Sequence, residues 1–148
     1  MPWADLKKGR VSLNGHIYFI TFNTFNRIPY FDSFSTAAKF CRQIQINENT
    51  TDAQWLTWVL MPDHFHGLVQ FNNQSLNQVV SDLKGRSAFL INQHLARTGQ
   101  LWQKQYFERA VRKDENIKSI ARYIVANPLR KKLVDDVKSY PYWDSKYL

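Results

Sequence analysis

Two histidines that stand two positions apart are the first residues of this sequence whose spacing could support chemistry. His64 and His66 open an apolar run with strand character, in which side chains alternate between the two faces. Both imidazoles therefore point the same way, about 7 Å apart along the strand, and could share one divalent ion. The alternative is a pair of ordinary histidines near a turn. His16 and His94 have no such partner and are expected to be structural or surface residues.

A tyrosine and an asparagine form the second candidate pair. Tyr123 and Asn127 lie four positions apart in a helical pattern, so they share one helix face. Asparagine offers a hard oxygen ligand to a divalent ion, and a tyrosine hydroxyl can act as a covalent nucleophile. The alternative is a tyrosine ring that packs in the core against a sheet.

The positive charge of the chain is concentrated near this second pair. The sequence has 20 Lys+Arg and 12 Asp+Glu, for a net charge of +8. Residues 97–148 hold 12 basic and 6 acidic residues, whereas residues 1–96 hold 8 and 6. Such a distribution favours a surface for a polyanion, most often nucleic acid, although a basic surface can also serve solubility alone. The predicted DNA contacts are Arg112, Arg122, Arg130, Lys131 and Lys132.

Four of these residues surround Tyr123 and have two interpretations; they are Arg122, Arg130, Lys131 and Lys132. They would stabilise a phenolate at Tyr123 and attract a phosphodiester, or they would only oppose the negative end of a helix dipole.

Length and composition narrow the class of protein further. The 148 residues suit one domain, and 44% apolar with 15% aromatic residues excludes disorder for the bulk of the chain. We expect no signal peptide or membrane span, and the single cysteine, Cys41, excludes an internal disulfide.

The elements that would position these residues follow the order β-α-β-β-α-β-α. Met61-Pro62-Asp63 supplies a tight turn between the second and third strands, and Pro128 ends the last helix. The pattern predicts an α+β protein with the ferredoxin-like β-α-β-β-α-β order, an antiparallel sheet and an added C-terminal helix that carries Tyr123. Strands are predicted at 16–24, 54–60, 64–71 and 105–112. Helices are predicted from Asp32 or Ser33 to about 47–49, from Ser75 through Leu95 to an end at Thr98-Gly99, and from a cap at Asp114 to about Asn127.

Two motifs contain the candidate pairs, and a third motif in two parts lies between them. Residues 61–69 read Met-Pro-Asp-His-Phe-His-Gly-Leu-Val, and residues 122–128 read Arg-Tyr-Ile-Val-Ala-Asn-Pro. Between them lie Leu101-Trp102-Gln103 and Phe107-Glu108. In this order the motifs resemble those of the single-tyrosine HUH transposases, in particular the REP-associated tyrosine transposases of bacteria. The resemblance runs from about residue 10 to the Tyr-Pro-Tyr-Trp segment at 140–143.

The resemblance implies one transposase domain over residues 1–148, with residues 128–148 as a basic tail. It implies that Tyr123 is the nucleophile and that His64, His66 and Asn127 hold Mg²⁺ or Mn²⁺. The implied reaction is the nicking and joining of single-stranded DNA at REP-type hairpins through a 5′-phosphotyrosine. Glu108 stands where relatives usually have Asp and receives no role, and Lys132 stands where many relatives have glycine.

Other functions stay open at this point. The chain could be a domesticated DNA-binding protein without catalytic activity, although all four candidate site residues are present. The aromatic signature of RNA-binding ferredoxin-like sheets is absent. A cytoplasmic, nucleoid-associated monomer is expected, while a dimer that completes each active site with the partner's tyrosine stays open.

Overall fold

The structure is a computed structural model that describes residues 16–148, and in it five antiparallel strands form one sheet. The first fifteen residues of the predicted domain lie outside the described range. The strands lie side by side in the order β4-β1-β3-β2-β5, so β3 occupies the centre. In chain order they are β1 (His16–Asn23), β2 (Gln54–Met61), β3 (His64–Phe71), β4 (Phe107–Ala110) and β5 (Trp143–Ser145).

Helices cover both faces of the sheet. The helices α1 (Phe34–Thr50) and α2 (Leu76–His94) pack on one face, and α3 (Ile117–Val125) packs on the other. The helix α3 ends at Val125, and a separate one-turn helix, α4 (Asn127–Arg130), follows with Pro128 near its start, so the prediction that Pro128 ends the last helix is wrong. The predicted ferredoxin-like order with an antiparallel sheet is therefore confirmed. Within residues 16–148, no helix combines the length and the apolar content that a membrane crossing needs.

An aromatic cluster fills the space between the sheet and α1 and α2. Phe22, Phe40 and Phe65 are fully buried there, and their rings lie 5.0–6.4 Å apart. The Trp102 ring packs edge-on against Phe22, and its indole N–H donates a hydrogen bond of 2.9 Å to Ser87 Oγ. On the opposite face a smaller cluster joins strand residues to Ile124 of α3. The sheet is thus held from both sides, which fixes the residues that project from β3.

Gly67 in β3 marks a close approach inside the first cluster. A Cβ at this position would lie 2.5 Å from Cζ3 and 2.7 Å from Cε3 of the Trp55 ring. That ring is buried and its N–H donates to Asn47 Oδ1 at 2.8 Å, so it has little freedom to move away. The glycine therefore serves packing beside the two histidines rather than chemistry.

We predict that Gly67→Ala lowers the free energy of unfolding by about 1–3 kcal/mol, the usual cost of overpacking a core. Chemical denaturation followed by tryptophan fluorescence measures the change. Gly85→Ala is the matched control, because a Cβ there meets nothing within 4 Å in the middle of α2. Helix propensity should raise the stability of that variant by up to about 1 kcal/mol. Equal stability of the Gly67→Ala variant and the wild type would contradict the packing argument.

Several element boundaries differ from the sequence prediction. The fourth strand is shorter than 105–112, because β4 pairs with β1 only from Phe107 to Ala110. The cap of α3 is Asn116, whose side chain accepts a hydrogen bond from Ser119 N at 3.1 Å, and the prediction of Asp114 is wrong. Ser33 precedes α1 without a capping bond from its side chain, and α1 continues to Thr50. The helix α2 ends at His94, before the predicted end at Thr98-Gly99.

The segment after Pro128 contains regular structure that the sequence pattern does not predict. The strand β5 pairs with β2 at the edge of the sheet. Tyr140 is buried, and its hydroxyl donates a hydrogen bond to the Leu60 carbonyl. Part of the region expected to be a basic tail therefore packs against the sheet.

Candidate active site

The two histidines of β3 lie next to each other on the sheet face that α3 covers. Their ring centroids are 4.7 Å apart, with the ring planes at 87°. His64 pairs with Asn23 of β1 and Met61 of β2, so it lies where all three central strands meet. The alternation predicted from the sequence therefore brings both imidazoles into one place.

An oxygen atom holds the Nδ1 atom of each histidine. His64 Nδ1 lies 2.7 Å from Asp63 Oδ1, and the other oxygen of that carboxylate accepts a hydrogen bond of 2.9 Å from Arg27 Nε. His66 Nδ1 lies 2.7 Å from the Thr21 hydroxyl. When Nδ1 donates to these oxygens, the lone pair of each imidazole is on Nε2, the atom that remains for a ligand.

Both histidines are neutral at pH 7. The pKa of His66 is lowered to about 3, mainly by burial and also by the nearby His64, Arg130, Arg27 and Lys131. Burial also lowers the pKa of His64, and together with Arg27 and Lys131 it outweighs the opposing influence of Asp63. Burial alone would raise the pKa of Asp63, but its bonds to His64 and Arg27 bring it below the usual value. A neutral imidazole is the form that binds a metal ion.

The helical pair reaches the histidines from α3 and α4. Asn127 is 97% buried, and its side-chain nitrogen lies 3.4 Å from His64 Nε2. Tyr123 is 57% exposed, so the alternative of a core tyrosine is wrong. Both residues line one polar cleft of about 480 Å³ together with the histidines. We call this the polar cleft; its lining residues are Thr21, Asn23, Arg27, His64, His66, Tyr123, Asn127, Arg130 and Lys131.

Three basic side chains line the polar cleft. The guanidinium carbon of Arg130 lies 4.0 Å from the centre of the Tyr123 ring. Lys131 follows it at the end of α4, and Arg27 comes from the connection after β1. Cations gathered beside a tyrosine hydroxyl form a site for an anionic group such as a phosphate.

The other predicted DNA contacts lie outside this cleft. Arg122 and Lys132 are exposed but do not line it. Lys132 has a positive φ of 59°, a conformation that favours glycine after a helix. Arg112 is exposed and lies 3.8 Å from Asp114 Oδ1. These three residues are thus exposed but lie apart from Arg130 and Lys131, and their contact with DNA stays a prediction.

Sequence reasoning missed four residues of the site, namely Thr21, Asn23, Arg27 and Asp63. Asp63 directly precedes His64, and a carboxylate beside a candidate ligand is a readable signal. Thr21 reaches His66 only through the register of β1 and β3, in which the two residues pair. Arg27 depends on the chain turning back after β1. Thr21 and Arg27 therefore carry no local sequence signal.

The donor set at the polar cleft fits a divalent metal ion. Nothing in residues 16–148 brings three His, Cys, Asp or Glu side chains together as a metal cluster. His64 and His66 instead supply two imidazole nitrogens, and the buried Asn127 carboxamide beside His64 can supply an oxygen. Two imidazoles with one amide oxygen suit Mn²⁺ and are compatible with Mg²⁺.

Comparison with known proteins shows a consistent set of similarities. The family model described as "Transposase IS200 like" matches residues 12–127. A protein of Haemophilus influenzae, described as a "Putative REP-associated tyrosine transposase", is 26% identical over 94 aligned positions, and the alignment covers 56% of this chain and 53% of that protein. The chain thus spans about half the length of this curated relative.

Two solved structures share the fold. A REP-associated tyrosine transposase bound to a REP hairpin superposes with a TM-score of 0.74 at 19% identity, over 88% of this chain and 77% of the other. A "putative transposase" from Deinococcus radiodurans superposes with a TM-score of 0.57 at 23% identity, over 73% and 87%. At these identities the superpositions establish a common architecture.

Proposed function

Because this chain belongs to the IS200-like transposase family, we propose that it nicks and rejoins single-stranded DNA with Tyr123 as the nucleophile. The observation that supports this proposal most strongly is the polar cleft, where an exposed tyrosine faces two neutral histidines and a buried asparagine. Histidines kept only for packing would not need a shared solvent-facing cleft lined with cations.

The proposed reaction is a transesterification at phosphorus. The Tyr123 oxygen attacks the scissile phosphate and gives up its proton to water, which the exposed side chain contacts. The bond from phosphorus to the 3′-oxygen breaks, and that oxygen takes up a proton from water and leaves as a 3′-hydroxyl. The covalent 5′-phosphotyrosine keeps the energy of the broken bond. Attack by a 3′-hydroxyl then releases Tyr123 and joins the strands without a nucleotide cofactor.

Residues of the polar cleft divide the remaining work. Arg130 and Lys131 would bind the non-bridging phosphate oxygens next to the Tyr123 ring. His64, His66 and Asn127 would hold Mg²⁺ or Mn²⁺, whose Lewis acidity would stabilise charge on the phosphate. Asp63 and Thr21 would keep the two imidazoles oriented through their Nδ1 atoms. Every residue of this set belongs to the same chain, so a monomer would suffice.

The proposed substrate is a DNA hairpin of the REP type beside a single-stranded segment. A solved relative of the same fold is bound to a REP hairpin, and the curated relative is described as REP-associated. The basic residues of the C-terminal third would contact the DNA backbone. A protein with this activity would work at the nucleoid.

Trapping of the covalent adduct tests the proposed function. Oligonucleotides with a central imperfect palindrome and randomised single-stranded flanks are incubated with the protein and Mg²⁺ or Mn²⁺. A strand labelled at its 3′ end should stay attached to the protein under denaturing conditions, and peptide mapping should find it on Tyr123. The same strand annealed to its complement is the control and should give no adduct. Binding without any adduct would instead support the inactive DNA-binding protein.

We predict that replacing Lys131 and Lys132 together with Ala weakens binding to all single-stranded DNA sequences about equally. The loss is electrostatic, because each lysine that contacts a phosphate releases a counterion. A plot of log affinity against log salt should become flatter by up to about two counterions. Fluorescence anisotropy at several salt concentrations measures both quantities.

Lys146→Ala is the control for this pair of lysines. Its backbone N–H donates a hydrogen bond to the Leu56 carbonyl of β2. Leu56 lies five residues along β2 from Met61, the strand partner of His64, which corresponds to about 17 Å. This variant should keep the salt dependence of the wild type. A loss confined to one DNA sequence in the double variant would mean that the lysines read bases.

A further inference from the structure

A second cleft adjoins the polar cleft on the other side of Tyr123. It measures about 510 Å³, and Thr21, His66 and Tyr123 line both clefts. The residues that line only this second cleft are mainly apolar, whereas several of those that line only the polar cleft are cationic. We call it the apolar cleft; Phe19, Phe107 and Ile120 supply its apolar wall and Arg109 its charged edge.

Phe107 is the most conspicuous residue of the apolar cleft. Its side chain is 56% exposed although it lies in a strand, β4, at the edge of the sheet. The ring meets buried Phe19 edge-on, with centroids 6.2 Å apart and planes at 86°. A large apolar ring left open beside a candidate active site is typical of a ligand surface. Ile120 of α3 lines the same cleft.

Arg109 is held in place at the edge of the apolar cleft. Its Nη1 atom donates to both oxygens of Glu115, at 2.8 and 3.0 Å, and its guanidinium carbon lies 5.9 Å from the Phe19 ring centre. Within the described part of the chain, no hydrogen bond uses its Nε or Nη2 atoms. The side chain is therefore oriented by Glu115 and still has donors for a polar edge of a ligand.

We infer that the apolar cleft binds the nucleobase of a nucleotide that adjoins the scissile phosphate. This inference rests on the proposed function, which places that phosphate in the polar cleft beside Tyr123. Because the two clefts share Tyr123 and His66, a nucleotide whose phosphate lies in one can extend its base into the other. A base combines two apolar faces with a polar edge, which matches an open Phe ring next to an oriented guanidinium.

The chemistry favours a base over the other groups that an apolar cleft could accept. A lipid chain would gain nothing from Arg109, and a free phosphate would gain nothing from Phe107. Stacking of bases on an aromatic ring tolerates any sequence, since every base has a π-face. The apolar cleft would thus hold the strand in position for attack by Tyr123 without depending on its sequence.

Mononucleotides test the inference without knowledge of the natural substrate. The full-length protein is titrated with each of the four deoxynucleoside 5′-monophosphates and, separately, with deoxyribose 5-phosphate, and NMR follows side-chain signals of Phe107 and Ile120. The mononucleotides should shift these signals, whereas deoxyribose 5-phosphate should not. Phe107→Ala should weaken mononucleotide binding about five-fold or more. Phe89→Ala is the matched control, because Phe89 is 70% exposed on α2 and lines neither cleft.

The outcomes separate this inference from the proposed function. If mononucleotides bind in a Phe107-dependent way but no adduct forms on Tyr123, the base site stands and the proposed function is wrong. If the adduct forms at the wild-type rate in Phe107→Ala and mononucleotides shift neither signal, the base site is wrong and the proposed function stands. Equal losses in the Phe107→Ala and Phe89→Ala variants would also overturn the base site.

Discussion

Replacing Tyr123 with Phe is expected to abolish the covalent protein–DNA adduct while the protein still folds and binds DNA. The substitution removes only the hydroxyl oxygen, which no other group at this position can replace as the nucleophile. The ring keeps its packing and its contact with Arg130, whose guanidinium carbon lies 4.0 Å from the ring centre. Loss of a nucleophile costs on the order of 10⁴-fold to 10⁶-fold in rate, so cleavage should fall below detection. Denaturing gels with a 3′-labelled strand measure adduct formation.

Tyr30 provides the matched control for this experiment. Its ring also lies beneath an arginine, with the guanidinium carbon of Arg97 at 4.8 Å from the ring centre, but it does not line the polar cleft. Tyr30→Phe therefore removes the same atom from a similar arginine–tyrosine contact, and it should form the adduct at the wild-type rate. Undiminished cleavage by Tyr123→Phe, or an adduct mapped to a different tyrosine, would contradict the assignment.

The sequence predicts well those parts of the fold that are encoded locally. The turn at Pro62-Asp63 joins β2 and β3 as predicted, because proline and aspartate restrict the backbone at that point. Ser75 starts α2 as predicted, through a capping box with Gln78. Each of these features depends on residues fewer than five positions apart.

The parts that sequence reasoning missed depend on distant partners. The strand β5 has three residues and exists because β2 offers an open edge at Val59, Trp58 and Thr57. The choice of Asn116 over Asp114 as the helix cap depends on Glu115, which accepts hydrogen bonds from Arg109 and from the Arg112 backbone. Short elements of this kind carry too few residues for a periodic signal.

The candidate site divides along the same line. Spacing within one strand places His64 and His66 together, and a separation of four positions brings Tyr123 of α3 and Asn127 of α4 to one cleft. Asn127 contacts His64 although the two residues lie 63 positions apart in the sequence. Only the resemblance to a family allowed this contact to be expected. Thr21 emerges only from the strand register. The sequence thus identifies the chemical groups, and the sheet determines what holds them.

Removal of either histidine, or of the metal ion, should abolish nicking while DNA affinity changes only a few-fold. His64→Ala and His66→Ala each remove one of the two imidazole nitrogens that face the polar cleft, and the remaining donors are too few to hold Mg²⁺ or Mn²⁺ tightly. DNA affinity should persist because it depends on phosphate contacts with basic residues such as Arg130 and Lys131. Titration calorimetry with Mn²⁺ should show binding to the wild type and none to either variant.

Two comparisons make this prediction specific to the polar cleft. His94→Ala removes a histidine whose described contact is with Ser35, so it should keep both Mn²⁺ binding and nicking. Chelation of the wild type by EDTA changes no residue, and it should stop nicking to the same extent as either histidine variant. Anisotropy with a hairpin oligonucleotide should meanwhile report nearly unchanged affinity in all these samples. Nicking that continues at the same rate in EDTA would make His64 and His66 structural residues, because imidazoles held for a metal have no other role in the proposed reaction.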